Sequence, residues 1–458
     1  MHQERSARMG TMPIPRLILK ISSPIMLSML VQALYNIVDS IYVSRLPESE
    51  KALNAVTLVF PVQMLMIAIG VGTGIGINSL ISRRLGEKRR EEAHGAAVNG
   101  LFLAVISWVA FALFGLFFSG IFMRGFTQDE ATLRMGTDYL RICTVFSFGL
   151  FSAIAIERVM QGTGNTLYNM IVQMTGAGLN IILDPIFIFG WGVVPAMGVA
   201  GAATATVIGQ IAAMVLAFIL NQTRNKELWL HLKGFRPSGK TIWEIYRVGF
   251  PSIIIQTVGS AMIMMLNLIL TALDPLAVTV MGLYFRLQSF VFMPVFGLTG
   301  GLVAIVGYNY GARNKKRIYE AVRVALFYAG AIMAAGTLIF LLLPGLMLSL
   351  FNASPDMLQI GIPALRIISL AFMMAAGGII LSTVFQAIGN GTLSLFISLV
   401  RQLVVLLPAA FFLSRAFGLA GVWWSVPLAE AVSLMLCIIL YFWADKRYIK
   451  PLGELKAE

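Results

Sequence analysis

The sequence predicts an all-α integral membrane protein in which twelve transmembrane helices form two six-helix lobes related by a parallel internal repeat. The prediction rests on composition, on the spacing of apolar stretches and on matches between the two halves of the chain. Of the 458 residues, 58% are hydrophobic and only 12% are charged, and the mean hydropathy is +0.84. This composition excludes a soluble globular protein, which needs more polar residues to cover its surface.

Apolar stretches recur along nearly the whole chain, and each is long enough to cross a bilayer core of roughly 30 Å as a helix. We place the twelve spans at 16–42, 53–82, 93–123, 135–160, 167–190, 198–220, 248–271, 277–309, 318–343, 359–385, 392–414 and 420–443. The first span follows a basic leader, as a signal peptide does. Its apolar run is too long and no small-residue cleavage site closes it, so we expect a retained helix.

The second half of the chain repeats motifs of the first half. The matches are Pro24 with Pro251, Leu140-Arg-Ile with Leu365-Arg-Ile, and Gln161…Gly164-Asn165 with Gln386…Gly389-Asn390. Each unit has six spans, an even number, so both units have the same orientation and an axis along the membrane normal should relate them, as in many transporters. The predicted domains are an N-lobe at 1–220, a cytoplasmic interlobe linker at 221–247, a C-lobe at 248–443 and a cytoplasmic tail at 444–458.

The net charge of +13 follows the membrane topology and does not indicate nucleic-acid binding. With a cytoplasmic N terminus, the basic clusters at 83–90, 224–247, 313–317 and 446–456 all lie on one side. The opposite loops hold only Arg45, Lys51, Arg124, Arg134 and Arg415. This bias places both termini in the cytoplasm, and we expect a multi-pass protein of the prokaryotic inner membrane.

The first span carries a polar face. Gln32, Tyr35, Asn36 and Asp39 follow the spacing i, i+3, i+4, i+7, so they share one side of a helix. Lipid cannot satisfy such groups, so this face should line the bundle interior or a wet cavity. We interpret Gln32, Tyr35 and Asn36 as residues of the substrate cavity.

The fifth span carries a second polar face, formed by Gln173, Asn180 and Asp184. Pro185 has no N–H group and therefore frees a carbonyl on the preceding turn. Together with Asp39, these oxygens suit Na⁺, and the same carboxylates can instead trap a proton because burial and like charge favour the protonated form. A static hydrogen-bonded core with both acids protonated is the alternative. Gln173 is assigned to the substrate cavity.

The acidic pair belongs to the first half alone. In the second repeat, Leu266 is equivalent to Asp39, Ala409 to Asp184 and Val405 to Asn180. An ionised carboxylate in a span costs roughly 2.5–3.5 kcal/mol on insertion scales. The asymmetry therefore predicts a cation or proton site in one lobe of a transporter.

Several other residues in the spans stay open to interpretation. Pro24 is a candidate hinge, and a fixed kink is the alternative. Glu157 and Arg158 lie at the end of the fourth span, where we expect their charged groups to snorkel to the membrane surface. Arg286 and Glu430 lie deeper; an internal salt bridge or a cavity-lining role is open for them, and the sequence gives no pairing.

The sequence offers no catalytic or metal-binding constellation. Cys143 and Cys437 are single cysteines inside predicted spans, and the three histidines are scattered. There is no nucleophile–base pattern and no phosphate-binding loop. We therefore expect a transporter that is not an enzyme, that needs no cofactor beyond H⁺ or Na⁺ as coupling ion, and that is not driven by ATP.

The motifs together resemble the multidrug and toxic compound extrusion (MATE) family over essentially the whole chain. They are Pro24…Gln32…Asp39, Asn180-Ile-Ile-Leu-Asp184-Pro185, Gly198-Val-Ala-Gly-Ala-Ala-Thr204-Ala-Thr206 and the Gln-Gly-x-Gly-Asn loops. The resemblance implies a cation-coupled antiporter that exports cationic or amphiphilic drugs by alternating access. It also implies a coupling site formed by Asp39, Asn180, Asp184 and Thr206, with Tyr139 nearby. Thr204 competes with Thr206, because the length of the preceding loop leaves the alignment open.

The chain departs from one branch of that family. NorM-type members carry acidic residues in the seventh and tenth spans, where this chain has Gln256 and neither Asp nor Glu. It is more similar to the DinF-like and MepA-like prokaryotic branches. The alternative function is a flippase for lipid-linked precursors. The cavity of such flippases tends to be cationic, whereas the acidic cluster of this chain suits cationic drugs.

We expect the protein to be a monomer.

Overall fold

The computed structural model describes residues 6–43, 49–192, 194–231, 235–351 and 353–453. The side chains of residues 35–41, 43, 49, 50 and 453 lie outside this description, and so do the side chains of Tyr35, Asn36 and Asp39. The regular secondary structure of the described residues is helical, apart from one isolated bridge between Trp191 and Val194.

The first half of the described chain forms nine helices. They are α1 (Ala7–Thr11), α2 (Ile14–Val43), α3 (Ser49–Gly86), α4 (Arg90–Phe117), α5 (Ser119–Arg124), α6 (Glu130–Val145), α7 (Phe148–Gly162), α8 (Thr166–Phe189) and α9 (Val199–Arg224). Ten helices of the described chain are long and apolar enough to cross a membrane on their own, and five of them, α2, α3, α4, α8 and α9, lie in this half.

The second half repeats this order. Its helices are α10 (Gly239–Leu273), α11 (Pro275–Gly311), α12 (Lys315–Leu342), α13 (Pro344–Ser349), α14 (Pro355–Ser369), α15 (Phe372–Ala387), α16 (Gly391–Leu399), α17 (Leu407–Phe417) and α18 (Leu419–Ala444). A π-helical segment, Val400–Leu406, joins α16 to α17, and these three pieces form one span.

The fourth and tenth predicted spans are broken helices. The axes of α6 and α7 differ by 42°, and those of α14 and α15 differ by 46°. Each pair counts as one span if the break is allowed, which gives the predicted total of twelve within the described residues. The breaks lie at equivalent places in the two lobes, so they belong to the repeated unit.

The internal repeat is confirmed at the level of single residues. Helix α4 maps onto α12, and α5 onto α13, with an offset of 225 residues at both ends. The two Gln-Gly-x-Gly-Asn loops also match, since Gly164 and Gly389 have φ values of +78° and +86°. This left-handed conformation suits glycine and ends α7 and α15, where Asn165 and Asn390 donate backbone hydrogen bonds to Met160 and Phe385 at 2.8 Å.

Local capping explains where several helices begin. Asp274 accepts a hydrogen bond from the backbone of Leu276 at 2.8 Å, and Pro275 occupies the first turn of α11. Ser354 and Pro355 start α14 in the same way. Proline suits this position because the first turn of a helix has no partner for its N–H groups.

Each lobe has its own hydrophobic core, and the first helix of each repeat begins against the other lobe. Ile14, Leu17 and Ile18 of α2 join the core of the C-lobe. Ile245, near the start of α10, joins the core of the N-lobe. The two lobes are therefore interlocked at the end of the molecule that carries the N terminus.

Burial along α3 shows where the lobes meet. In the first half of α3 only one face is buried, by Ala52, Ala55, Val59, Val62 and Met66. All seven residues of 76–82 are buried, and all seven residues of 301–307 in α11 are buried as well. A helix that is buried all round lies inside the protein, so the lobes pack tightly at the end nearest the N terminus and less tightly at the other end.

Glycines make this close packing possible. A Cβ atom at Gly76 would collide with the carbonyl oxygen of Ile245, and one at Gly86 would collide with that of Tyr308. Hydrogen bonds then join the two lobes, from Ser79 Oγ to Gln386 O at 2.7 Å and from Asn78 Nδ2 to Gly300 O at 3.4 Å. Arg84 also bonds to Glu244, near the start of α10, at 2.7 Å.

Candidate functional site

The site is built on the crossing of α8 and α9 in the N-lobe. Two glycines allow a close approach, because a Cβ at Gly209 would lie 2.8 Å from the carbonyl oxygen of Gly176. The same Cβ would lie 3.4 Å from Cβ of Asn180. Small residues at such a crossing bring polar side chains of neighbouring spans within hydrogen-bonding distance.

Asn180, Asp184 and Thr206 form a hydrogen-bonded cluster at this crossing. Nδ2 of Asn180 donates to Oδ2 of Asp184 at 2.9 Å. Oδ1 of Asn180 accepts from the backbone N–H of Thr206 at 3.0 Å and from its hydroxyl at 3.1 Å. The reverse orientation of the amide would place its NH₂ group against the Thr206 N–H, so the orientation is assigned from the hydrogen-bond donors around it.

The carboxylate and the amide of the cluster are buried within the protein, and Thr206 is half-buried. Asp184 is 0% exposed and Asn180 is 3% exposed. Asp184 is followed by Pro185 inside α8. Because proline donates no hydrogen bond, the carbonyl group one turn earlier is free to act as a further oxygen donor beside the carboxylate. Carboxylate, amide, hydroxyl and carbonyl oxygens are ligands that a hard monovalent cation accepts, and a carboxylate also accepts a proton.

The other residues proposed for the coupling site and cavity occupy several places. Helix α2 includes the positions of Tyr35, Asn36 and Asp39 and packs against α8, but these three side chains lie outside the described part of the structure. Gln32 is exposed on α2. Tyr139 is buried on α6, and its hydroxyl accepts a hydrogen bond from Gln63 Nε2 of α3 at 3.2 Å.

The two candidate threonines differ in their contacts. The Thr206 hydroxyl contacts Asn180, whereas the Thr204 hydroxyl donates to the carbonyl oxygen of Ala200, one turn earlier in α9, at 2.8 Å. The geometry therefore places Thr206, and not Thr204, in the hydrogen-bonded cluster.

Further polar side chains of the N-lobe are hydrogen-bonded to one another. Gln173 Nε2 donates to Oε2 of Glu157 at 2.9 Å, and Arg158 donates to Oε1 of Gln161 at 2.8 Å. The prediction that Glu157 and Arg158 snorkel is wrong, since they are only 7% and 9% exposed. Arg158 extends along α3 over Gly74, where a Cβ would lie 2.6 Å from its Cγ, so its charged group stays inside the lobe.

The structure also pairs Glu430, which the sequence left unassigned. Arg401 Nη1 lies 2.6 Å from Glu430 Oε1, between the π-helical segment and α18. Arg286 is exposed on α11. Sequence reasoning missed the Arg401–Glu430 pair because the two residues are 29 positions apart on different spans, with no motif to connect them.

The fold and the cluster together define a class: a multi-pass helical membrane protein with two parallel lobes and a buried polar site at a helix crossing, as in secondary transporters. The chain belongs to the MatE family of membrane transporters. The family model matches residues 24–186 and 251–412, once in each repeat. This confirms the predicted fold class and the predicted family.

Named relatives are similar along nearly their whole length. The chain is 26% identical over 421 residues to the multidrug export protein MepA of Staphylococcus haemolyticus (strain JCSC1435), covering 92% of both chains. It is 25% identical over 443 residues to MepA of Staphylococcus aureus (strain MSSA476), covering 97% of both. These similarities fit the predicted MepA-like branch.

Solved structures show the same fold. One is an outward-facing conformation of a multidrug resistance MATE family transporter of the MOP superfamily, with a TM-score of 0.90, 29% identity and 99% of both chains covered. Another is a MOP superfamily transporter from Pyrococcus furiosus Vc1 (DSM3638), whose binding pocket is described as having reversed polarity, with a TM-score of 0.89, 28% identity and coverage of 98% and 99%.

Proposed function

We propose that the protein is a cation-coupled secondary antiporter that exports cationic or amphiphilic drugs by alternating access, with its coupling site in the N-lobe. The observation that carries the proposal is the hydrogen-bonded cluster of the buried Asp184 and Asn180 with the half-buried Thr206 at the crossing of α8 and α9. The multidrug export activity named for the MepA relatives supports the choice of cargo.

The coupling ion in this proposal is H⁺ or Na⁺, bound by Asp39, Asn180, Asp184 and Thr206, with Tyr139 beside them. Helix α2 packs against α8, which is the arrangement needed for Asp39 to complete the site. The acidic character of the cluster favours a cationic cargo over the pyrophosphate of a lipid-linked precursor, and this separates the drug exporter from a flippase.

Exchange requires that cation and drug stabilise different conformations of the protein. The shift is limited by the difference in affinity of each ligand for the two states. In the described structure the lobes are packed together at the end nearest the N terminus. We propose that this is the cytoplasmic end, that cation binding at the N-lobe site favours release of drug at the opposite end, and that Pro24 allows α2 to bend as the site fills.

The test is dye efflux from proteoliposomes under pH and Na⁺ gradients imposed independently. We expect Asp39→Asn and Asp184→Asn each to reduce gradient-driven efflux to the rate of protein-free liposomes, because asparagine keeps the size of the side chain and removes its charge. Folding should survive, since replacing a buried charge need not destabilise a protein.

Matched controls lie at the equivalent positions of the C-lobe. Leu266→Met and Ala409→Val change these positions without adding or removing charge, and we expect efflux near the wild-type rate. If both asparagine variants transport as well as the wild type, the carboxylates are structural and the proposed coupling site is refuted. The gradient that drives wild-type efflux identifies the coupling ion.

A further inference from the structure

The C-lobe contains an ion pair deep within its spans. Arg401 and Glu430 are joined at 2.6 Å, and their side chains are 31% and 13% exposed. Glu430 lies 11 residues after the start of α18 and 14 before its end (430 − 419 and 444 − 430). At about 1.5 Å per residue, the pair is at least roughly 16 Å from either end of that helix, near the middle of a bilayer.

The repeat places this pair at the same helix crossing as the N-lobe cluster. The offset of 225 makes Arg401 equivalent to Gly176 (401 − 225), because it relates Gly164 to Gly389 in their shared left-handed conformation. An offset of 220 relates Gly198 and Gly418, both with φ +58°, and makes Glu430 equivalent to Gln210. Gly176 packs on Gly209, the neighbour of Gln210, so the equivalent positions also meet in the N-lobe.

The two polar sites differ by one helical turn. Arg401 lies four residues before Val405, the counterpart of Asn180, and Glu430 lies four residues after Val426, the counterpart of Thr206. A long guanidinium side chain spans such a distance. At this helix crossing the C-lobe therefore has a carboxylate and a covalently attached cation. At the equivalent crossing the N-lobe has a carboxylate and neutral oxygen donors.

The backbone around Arg401 is specialised. Residues Val400–Leu406 form a π-helical segment, whereas the equivalent region of the N-lobe lies within the α-helix Thr166–Phe189. Such segments are rare and occur often at functional sites. The neighbouring Gln402 is buried, and its Nε2 donates to Ser398 Oγ at 2.6 Å. Two adjacent polar residues of this segment thus have separate partners. Gln402 bonds to Ser398, and Arg401 bonds to Glu430.

We propose that the guanidinium of Arg401 is the built-in cation of the C-lobe: it occupies Glu430, so this lobe binds no coupling ion, and without it Glu430 becomes a site for H⁺ or Na⁺. Tyr284 on α11 and Cys437 on α18 also interact electrostatically with Glu430. Both are neutral near neutral pH. Among the residues that the structure describes, Arg401 supplies the charge that balances the Glu430 carboxylate.

The inference rests on the proposed function only in its consequence for transport, namely that coupling is confined to one lobe. It also gives a physical reason for that asymmetry. A carboxylate that lies within a span and has no partner is unfavourable, and a bound cation, a proton or a guanidinium each relieve this. The guanidinium of Arg401 is covalently attached and therefore always present. It excludes both a bound cation and a proton from Glu430.

The test measures stability rather than transport, in a background that lacks the N-lobe carboxylates (Asp39→Asn/Asp184→Asn). Four full-length proteins in this background are compared: Arg401 unchanged, Arg401→Lys, Arg401→Gln and Arg401→Gln/Glu430→Gln. The unfolding temperature of each purified protein is measured in NaCl and in choline chloride at equal ionic strength, and from neutral to mildly acidic pH.

We expect Arg401→Gln to gain an ion dependence that the other three proteins lack. Its unfolding temperature should rise by at least about 2 °C in NaCl or on acidification, because either ion neutralises the Glu430 carboxylate. Arg401→Lys keeps a tethered cation and should stay insensitive. The double variant has no carboxylate at this position and should stay insensitive as well.

Three results would overturn the proposal. The first is an Arg401→Gln protein as insensitive to both ions as the double variant. The second is an Arg401→Lys protein with the same ion dependence as Arg401→Gln. The third is an Arg401→Gln protein that cannot be purified in either ion although the double variant can, since Glu430 then does not accept a small cation. None of these results depends on whether the N-lobe site couples transport.

Discussion

At the scale of single residues, the position of a side chain around its helix could be predicted, but its partner often could not. The spacing of Asn180 and Asp184 gave their shared face, and the structure joins them at 2.9 Å. Gln173 lies on the same predicted face but bonds to Glu157 on α7. Helical periodicity gives the direction of a side chain relative to its own helix, and the choice of partner depends on which span packs there.

Thr206 and Thr204 offer a direct test of the site at this scale. Thr206→Ala removes a hydroxyl that donates to Asn180, so we expect the affinity for the coupling ion to fall by up to roughly 10-fold, the equivalent of about 0.5–1.5 kcal/mol for one hydrogen bond. Thr206→Ser keeps the hydroxyl and should restore the affinity. The measurement is the dependence of dye efflux on the concentration of the coupling ion.

Thr204→Ala is the matched control, since the Thr204 hydroxyl bonds to its own helix at Ala200. Its loss should leave the affinity for the ion close to that of the wild type. A larger effect of Thr204→Ala than of Thr206→Ala would mean that the working site differs from the cluster described here.

At the scale of elements, hydropathy and internal matches predicted the order of spans, and the equal offsets of α4/α12 and α5/α13 confirm it. The breaks between α6 and α7 and between α14 and α15 were not predicted, and neither was the π-helical segment at Val400–Leu406. Hydropathy reports how apolar a stretch is. A change from i→i+4 to i→i+5 hydrogen bonding leaves composition unchanged, so such features are invisible to it.

The orientation of these elements leads to a prediction about three loops. Lys88 and Ala312 are exposed in the α3–α4 and α11–α12 loops, and Gln128 is exposed in the α5–α6 loop. With the N terminus in the cytoplasm, a membrane-impermeant thiol reagent added outside intact cells should label Gln128→Cys and leave Lys88→Cys and Ala312→Cys unlabelled. The background for all three is Cys143→Ala/Cys437→Ala.

Permeabilised cells provide the control for that labelling, because all three cysteines should then react. Labelling of Lys88→Cys or Ala312→Cys from outside would reverse the proposed orientation. Labelling of only one of these two would contradict the parallel repeat itself, since the loops are equivalent and both hold a residue in the left-handed region, Lys88 at φ +61° and Arg313 at φ +55°.

At the scale of the whole molecule, the lobes are packed together at the end nearest the N terminus. This end combines close backbone packing with contacts from the N-terminal segment. Asn309 Nδ2 donates to Met9 O at 2.9 Å, and Arg317 donates to the same oxygen at 3.0 Å, so α1 is held against the C-lobe. The backbone N–H of Ser6 donates to Glu227, in the predicted linker, at 2.7 Å. None of this followed from the sequence, because contacts between lobes depend on the conformation as well as on the fold.

Alternating access requires this end to open, and a cross-link across it tests the requirement. Ser79 Oγ lies 2.7 Å from Gln386 O and 3.3 Å from Ala387 O, so Ser79→Cys/Ala387→Cys should place two thiols across the lobes. In the cysteine-free background we expect oxidation or a short bifunctional reagent to join them. Joining should abolish dye efflux, and with a disulfide, reduction should restore it.

The matched control joins two helices of the C-lobe. Thr337 Oγ1 lies 3.2 Å from Ser369 O, between α12 and α14, so Thr337→Cys/Ser369→Cys offers similar geometry without crossing the lobes. If the lobes move as rigid bodies, this cross-link should leave efflux near the wild-type rate, because no distance within the C-lobe changes. A fully cross-linked Ser79→Cys/Ala387→Cys protein could instead keep the wild-type rate of efflux. Cargo would then pass without separation of the lobes at this end, and alternating access at this end would be refuted.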